Sequence, residues 1–256
     1  MTDATVPTPA PTVALVHGAF ADSSGWIGVI QQLRAAGVTA VAVSNPLRGI
    51  AEDTAYVASA LSQIPGPVLA VGHSYGGAII TNAAARAGNV VGLVYVSAFA
   101  PDEGEKLIEI ENGSTDSVLD TALVERQYPT GPGGETVTEF SIDPARFHQV
   151  FAADLTEEQA ADMAATQRPV SSLGFVEANG PPAWRTLPSW AVVSTGDTAA
   201  GADVVRSMAH RAGAVTTEAE GSHVLFVARP QVVAEVVLQA LDSLSRGAAV
   251  PAHAGS

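Results

Sequence analysis

The stretch Val68-Leu-Ala-Val-Gly72-His-Ser74-Tyr-Gly76-Gly77, followed by the Ala- and Ile-rich run Ala78 to Arg86, decides the interpretation of this chain. Residues 68 to 72 are continuously apolar, which is typical of a strand buried on both faces of a parallel sheet. The run from Ala78 has helical composition. A strand, a sharp turn and a helix in this order would project the hydroxyl group of Ser74 above the carboxyl edge of the sheet. The G-x-S-x-G pattern is weak alone and gains its value from this setting.

The same succession of a short apolar run and an amphipathic segment recurs along the chain. The predicted strands are Thr12–Val16, Thr39–Ser44, Val68–Gly72, Val90–Ser97, Trp190–Ser194 and Ala214–Thr217. The predicted helices that alternate with them are Gly25–Ala36, Asp53–Gln63, Tyr75–Arg86, Asp203–Ala212 and Pro230–Leu244. This alternation predicts an α/β fold with a doubly wound, mostly parallel sheet of about six strands.

The alternation breaks between Pro101 and Pro188, where glycine-rich polar loops surround two predicted helices, Pro144–Ala153 and Glu157–Thr166. The second helix begins with Thr156-Glu-Glu-Gln159, a capping-box pattern. We expect residues 101–187 to form a helical cap, or lid, over the carboxyl edge of the sheet. The alternative is a long excursion without a gating role.

The domain organisation follows from that insertion. Residues 12–100 and 188–246 are expected to form one core around the sheet. Residues 1–11 contain three prolines in five positions and are expected to be a disordered tail. Residues 247–256 are expected to form a second tail.

Composition excludes several classes of function. Of the 256 residues 47% are hydrophobic, and 26 acidic against 12 basic residues give a formal net charge of −14. This charge disfavours nucleic acids and anionic membrane surfaces as partners. No cysteine is present, which excludes disulfides, thiolate zinc sites and a cysteine nucleophile. Without a signal-peptide pattern or an apolar run of membrane length, we expect a cytoplasmic protein.

A histidine is placed to serve Ser74 as a base. His223 occurs in Gly221-Ser-His223, in a loop between the last predicted strand and the last helix, from which it can reach the carboxyl edge of the sheet. His17 is expected to anchor its own loop, and His73 to point away from Ser74. The other histidines lie in the insertion, on a helix and in the tail, at His148, His210 and His253.

The acid that would orient the base has two candidates. Asp197 follows the strand Trp190–Ser194, and it gives the chain order Ser, Asp, His expected for a nucleophile on such a turn. Asp102 follows the strand that ends near Ser97, but its position behind Pro101 is typical of a turn residue. Asp197 is the favoured candidate.

A second loop can supply hydrogen-bond donors to a developing oxyanion. His17-Gly18-Ala19-Phe20 comes directly after the first predicted strand. The backbone N–H groups of Ala19 and Tyr75 are the expected donors, with Phe20 replacing Ala19 if the loop register differs by one.

At these residues the chain resembles the α/β-hydrolase superfamily. Within it, the resemblance is to the small serine esterases that include plant methyl-ester esterases, together with plant hydroxynitrile lyases and related bacterial hydrolases. The residues that carry the resemblance are Val16–Phe20, Gly72–Gly77, Val94–Pro101, Ser194–Asp197, Gly221–His223 and Arg229-Pro230. The resemblance also implies Asp197 as the acid. The lyases have a Lys after the acid and a Thr or Asn in the first oxyanion loop. Thr198 and Gly18 stand there instead, which disfavours cyanohydrin cleavage.

These observations predict a serine hydrolase that cleaves a small, mainly apolar carboxylic ester through an acyl-enzyme on Ser74, without a metal or cofactor. Phe20, Phe99 and Trp184 are the expected substrate-binding residues. The alternatives that keep the triad are lactone, amide or C–C bond hydrolysis, perhydrolysis and lyase chemistry. A non-catalytic small-molecule binding protein is a further alternative, which the three intact positions argue against. The expected partner is a small ester, and the sequence leaves open whether the chain forms a homodimer.

Overall fold

A computed structural model describes residues 10–247 of the chain. The predicted tails lie outside this range, apart from positions 10, 11 and 247. Among the described residues, none of the helices combines the length and the apolar composition needed to cross a membrane.

The described strands occur in two groups along the chain, separated by the insertion. In chain order they are β1 (Thr12–Val16), β2 (Ala40–Val43), β3 (Val68–His73), β4 (Val90–Val96), β5 (Leu123–Pro129), β6 (Thr136–Ile142), β7 (Val170–Ser171), β8 (Ser189–Ser194) and β9 (Val215–Ala219). The helices are α1 (Ile27–Ala35), α2 (Ile50–Ser62), α3 (Tyr75–Ala87), α4 (Leu107–Asn112), α5 (Pro144–Phe151), α6 (Glu157–Thr166), α7 (Leu173–Val176), α8 (Ala202–Arg211), α9 (Leu225–Ala228) and α10 (Pro230–Ser245).

The main sheet has six parallel strands in the order β2-β1-β3-β4-β8-β9. The strands β3 and β8 are buried along their whole length, which explains their continuous apolar sequence. The helix α1 packs against α10, and α2 packs against α3, so that helices cover the sheet. The structure confirms the predicted α/β fold with a doubly wound parallel sheet.

The insertion between β4 and β8 is not purely helical. The helices α5 and α6 occupy the two predicted positions. A second, antiparallel sheet in the order β5-β6-β7 lies in the same region, together with the short helices α4 and α7. The description of this cap as helical is therefore incomplete. The residues of β5 are mostly polar and exposed, so the apolar alternation that indicates a strand is weak there.

Candidate active site

Ser74 lies on a strained turn between β3 and α3. Its φ of 53° and ψ of −126° are costly for a residue with a side chain. Gly76 makes the turn sterically feasible, because a Cβ atom there would lie 2.5 Å from the carbonyl oxygen of Val16. The backbone N–H of Ser74 donates to the carbonyl of Val96 at 3.2 Å, and its carbonyl accepts from the N–H of Gly77 at 2.9 Å. The predicted strand–turn–helix geometry is present at Ser74.

Backbone strain is concentrated at the carboxyl edge of the main sheet. Among residues 10–247, the other non-glycine residues with positive φ are Phe20 at 59°, Leu47 at 64° and Ser97 at 44°. They follow β1, β2 and β4, as Ser74 follows β3. Strained backbone of this kind tends to gather at functional sites, so this edge is the candidate site.

His223 and Asp197 form a buried pair at the same edge. The Nδ1 atom of His223 lies 2.8 Å from Oδ2 of Asp197, and the two side chains are 2% and 1% exposed. The other carboxylate oxygen of Asp197 accepts from the backbone N–H groups of Ala199 and Ala200, each at 3.0 Å. Because an ionised carboxylate only accepts hydrogen bonds, Nδ1 is the protonated ring nitrogen. The Nε2 atom of His223 can then accept a proton.

Asp102, the competing acid, lies elsewhere. Its carboxylate forms an ion pair with Arg185 at 2.6 Å. Partial burial opposes ionisation of Asp102, but hydrogen bonds from the Glu103 N–H and from Arg185 lower its pKa overall. The structure therefore pairs His223 with Asp197 and not with Asp102.

The loop after β1 lies directly against the serine turn. A Cβ atom on Gly18 would lie 2.7 Å from Cβ of Ser74, so only glycine permits this approach. His17 holds the loop in place: its Nδ1 atom donates to the Gly18 carbonyl at 3.0 Å, and its Nε2 atom accepts from the N–H of Asn45 at 3.0 Å. Burial lowers the pKa of His17 to about 4, which keeps the ring neutral.

Free backbone donors remain where this loop meets the start of α3. Within residues 10–247, no protein acceptor is bonded to the N–H groups of Ala19, Phe20 or Tyr75. The first N–H groups of a helix have no partner inside the helix and favour a nearby negative charge. The arrangement leaves both predicted donors, Ala19 and Tyr75, available, and also the alternative donor Phe20.

A small cavity lies over these groups. Its lining combines the predicted catalytic residues with mostly apolar side chains, namely Ala19, Phe20, Ser74, Tyr75, Phe99, Glu111, Leu119, Phe151, Phe175, Ala199, Ala200 and His223. Ser74 and His223 thus face one enclosed space, together with the predicted substrate-binding residues Phe20 and Phe99. We refer to it as the catalytic cavity.

Trp184 does not line the catalytic cavity, and its predicted role as a substrate-binding residue is corrected here. Its indole N–H donates to the carbonyl of Pro101 at 3.1 Å. Its ring centre lies 5.7 Å and 5.9 Å from the guanidinium carbons of Arg185 and Arg211. These contacts use the amphipathic indole near the surface, as Trp often does. The sequence indicates that Trp184 belongs to the insertion, but it does not indicate which way the side chain faces.

Four residues of the insertion that were not predicted for the site line the catalytic cavity, namely Glu111, Leu119, Phe151 and Phe175. The ring of Phe151 lies 4.9 Å from that of His223, centre to centre. Phe175 and Glu111 come from α7 and α4. No motif marks these residues. Only the folding of the insertion over the sheet brings them to Ser74.

The insertion also holds the loop that carries the base. The carboxylate of Asp154, which follows α5, accepts from the N–H of Ser222 at 2.8 Å and from the Ser222 hydroxyl group. Ser222 directly precedes His223. The side chain of Thr198, next to Asp197, donates to the carbonyl of Val150 at 3.1 Å. The insertion is therefore hydrogen-bonded to both loops of the histidine–aspartate pair.

Residues 10–247 contain no group of three or more His, Asp or Glu side chains arranged to hold a metal ion.

Known proteins share the family and the fold of this chain. Residues 13–236 match the model of the alpha/beta hydrolase family. No curated protein matches the chain significantly.

Several solved structures are similar to this one. Polyneuridine aldehyde esterase superposes with a TM-score of 0.75 and 18% identity, covering 91% of this chain and 99% of its own. A pyrethroid hydrolase from Sphingobium faniae JZ-2 gives a TM-score of 0.74 and 20% identity, with 93% and 100% covered. The methylesterase MES16 from Arabidopsis gives 0.72 and 17%, with 91% and 99% covered. These identities show a shared fold, and the match to the family model covers most of the chain. The resemblance to this superfamily is confirmed, and the chain belongs to the alpha/beta hydrolase family.

Proposed function

We propose that this protein is a serine hydrolase that cleaves a small, mainly apolar carboxylic ester through an acyl-enzyme on Ser74. One observation carries the proposal: Ser74 on its strained turn and His223, bonded through Nδ1 to Asp197, line the same cavity. A nucleophile, a base and a third group that orients the base are the parts that acyl transfer requires.

The reaction follows from the roles of these groups. The Nε2 atom of His223 takes the proton of the Ser74 hydroxyl group as its oxygen attacks the ester carbonyl. The N–H groups of Ala19 and Tyr75 bind the resulting oxyanion, and a donor of this kind contributes about 2.7–4 kcal/mol to transition-state stability. His223 then protonates the departing alkoxide. A water molecule, deprotonated by His223, hydrolyses the acyl-enzyme and frees Ser74. Asp197 stabilises the imidazolium that forms twice in the cycle.

The substrate class is supported by the cavity and by the relatives. Most of the lining of the catalytic cavity is apolar, which favours a small, mainly apolar acyl or alcohol group beside Ser74. The similar structures include an esterase, a methylesterase and a pyrethroid hydrolase. Thr198 follows Asp197 where the related lyases have a Lys, which favours ester hydrolysis over cyanohydrin cleavage.

The decisive experiment measures hydrolysis of p-nitrophenyl esters from acetate to octanoate by wild type and Ser74→Ala. We expect wild type to turn over the shorter esters and Ser74→Ala to fall to background while remaining folded. Labelling by a fluorophosphonate, read by mass spectrometry of the intact protein, should occur in wild type and not in Ser74→Ala. A folded wild type that neither hydrolyses any ester nor becomes labelled would overturn the proposal in favour of a binding protein.

The acid is tested by a matched pair of variants. Asp197→Asn should lower kcat by about 10⁴-fold, because the amide favours the wrong imidazole tautomer. Asp102→Asn should remain close to wild type, because an exposed ion pair such as that with Arg185 contributes little. Equal losses in the two variants would show that Asp197 has no special role.

A further inference from the structure

A second and larger cavity lies beside the catalytic cavity. Its volume is about 260 Å³, and its lining includes Ile108, Glu111, Asp120, Phe140, Phe175 and Val176. Glu111 and Phe175 line both cavities and so form the wall between them. The larger one, here called the outer cavity, is therefore positioned to take the part of a substrate that extends beyond the catalytic cavity.

The charged groups of the outer cavity are all acidic. Glu111 and Asp120 line it, and no Lys, Arg or His side chain does so among the described residues. Within residues 10–247, the carboxyl group of Glu111 has neither a side-chain hydrogen bond nor an ion pair. Its pKa is raised to about 8, first by burial and then by the negative charges of Asp120 and Asp197. The two carboxyl groups of the outer cavity therefore have no positively charged side chain of its lining to balance them.

The lining also contains neutral polar side chains, at Asn112, Ser114, Ser117 and Ser172, and two aromatic rings. Phe140 and Phe175 form an edge-to-face pair with ring centres 6.0 Å apart, and Phe175 lies in the wall beside Glu111. The face of an aromatic ring attracts an alkylammonium group, and the attraction grows when the cation is removed from water. A carboxyl group without a partner, next to aromatic rings, is suited to such a cation. The carboxyl groups of Glu111 and Asp120 disfavour an anionic group there.

We propose that the outer cavity binds a cationic alkylammonium group of the ester substrate, and that Glu111 is the residue that determines this specificity. The inference rests on the proposed function, because it requires the scissile ester to lie at Ser74. The net charge of −14 acts in the same direction, since it attracts cations toward the protein at long range.

The test uses three p-nitrophenyl esters of similar size. The first carries a trimethylammonium group at the far end of a butyryl chain. The second has a tert-butyl group in its place, and the third is the half ester of glutarate, with a carboxylate. We expect kcat/KM of wild type to be highest for the cationic ester and lowest for the anionic one. Glu111→Gln should lower the ratio of cationic to neutral kcat/KM by about tenfold, mainly through KM.

A control variant lies on the same helix. The side chain of Glu109 is 66% exposed and faces Lys106 at 3.6 Å, so Glu109→Gln should leave the ratio unchanged. The wild-type ratio should also rise between about pH 7 and pH 9 as Glu111 ionises beside Asp120 and Asp197, and this rise should be absent in Glu111→Gln. Measurement relative to the neutral ester removes any pH dependence of the catalytic step that both esters share.

The outcomes separate the two proposals. If the neutral ester is hydrolysed but the cationic one is not preferred, or if the preference survives in Glu111→Gln, the inference about the outer cavity is wrong and the esterase proposal stands. A ratio of cationic to neutral kcat/KM that falls as the pH rises would also contradict the inference. That trend would mean that Glu111 acts as a neutral carboxylic acid that donates a hydrogen bond. If Ser74 neither reacts with the fluorophosphonate nor supports turnover of any ester, the proposed function itself fails.

Discussion

The ring of His73 lies against that of His223, with ring centres 4.6 Å apart, and its Nε2 atom donates a 2.9 Å hydrogen bond to the backbone carbonyl of His223. Burial, with a smaller contribution from His223, holds the pKa of His73 well below its usual range. His73 is therefore a neutral donor, with the proton on Nε2. The residue before the proposed nucleophile thus holds the loop that carries the proposed base.

This relationship predicts a difference between two variants of similar size. The side-chain amide of His73→Gln can still donate to the carbonyl of His223, whereas His73→Met leaves that buried carbonyl without a donor. Loss of the bond should cost about 1–3 kcal/mol of folding free energy. We expect kcat of the Met variant to lie about tenfold below that of the Gln variant with similar KM. Ester hydrolysis and thermal unfolding of both variants test this, and equal kcat values would show that His73 only fills space.

The core of the fold could be predicted from local sequence, because each of its strands and helices carries a recognisable local pattern. Continuous apolar residues mark strands buried on both faces, and Val68–His73 is such a strand. The helix Glu157–Thr166 was predicted with its bounds, because Thr156 and Gln159 form the reciprocal capping bonds that their spacing indicates. The carboxyl edges of parallel strands meet, so residues after separate strands could be assigned to one site.

The cap could not be predicted in the same way, because its contacts join segments far apart in sequence. The side chains of β5 carry no clear alternation, and its partner β6 follows a glycine-rich loop. Trp184 faces Arg185 and Arg211, while Phe175, an equally apolar residue of the same segment, lines the catalytic cavity. Both are aromatic residues of the insertion, so their residue type does not indicate which of them lines the cavity. The role of Glu111 in the wall between the cavities likewise depends on how α4 packs.

The hydrogen bonds between Asp154 and Ser222 should couple the cap to the base. Asp154→Ala removes an acceptor from the N–H and the hydroxyl group of Ser222, next to His223. We expect each of Asp154→Ala and Ser222→Ala to lower kcat/KM, and the double variant to lose less than the sum of the two effects. Residues in direct contact usually couple by about 0.5–3 kcal/mol, so a double-mutant cycle on ester hydrolysis gives the value. Strict additivity would mean that the cap does not position the base.

Two buried histidines should make the protein sensitive to acid. Burial lowers the pKa of His17 to about 4 and that of His73 well below its usual range. Below about pH 6.5 the unfolded chain therefore takes up protons at these residues while the folded chain does not, and the free energy of unfolding falls. Each histidine lowers the free energy of unfolding by about 1.4 kcal/mol for each unit by which the pH falls in this window.

Glu111 acts in the opposite direction in the same window. Its pKa of about 8 in the folded state exceeds the ordinary value of 4.5, so between these values the folded state binds the proton and gains stability as the pH falls. Urea unfolding at about pH 6 and pH 5 should therefore show a steeper acid loss in Glu111→Gln than in wild type. The difference should approach but not exceed about 1.4 kcal/mol per pH unit, because the folded and unfolded states differ by at most one proton at Glu111. Identical slopes would contradict the raised pKa.

Asp53 and Tyr75 should connect the stability of α2 to the start of α3. The hydroxyl group of Tyr75 donates to Oδ2 of Asp53 at 2.8 Å, and the carboxylate also accepts from the N–H of Arg48 at 2.9 Å. Tyr75→Phe leaves the backbone N–H of residue 75 in place but removes one bond from a buried carboxylate. We expect a loss of about 1–3 kcal/mol in the free energy of unfolding and less than a tenfold change in kcat/KM. Tyr56→Phe, on the exposed side of α2, is the control and should change neither quantity. A large loss of activity without loss of stability would show instead that the Tyr75 hydroxyl group takes part in the reaction.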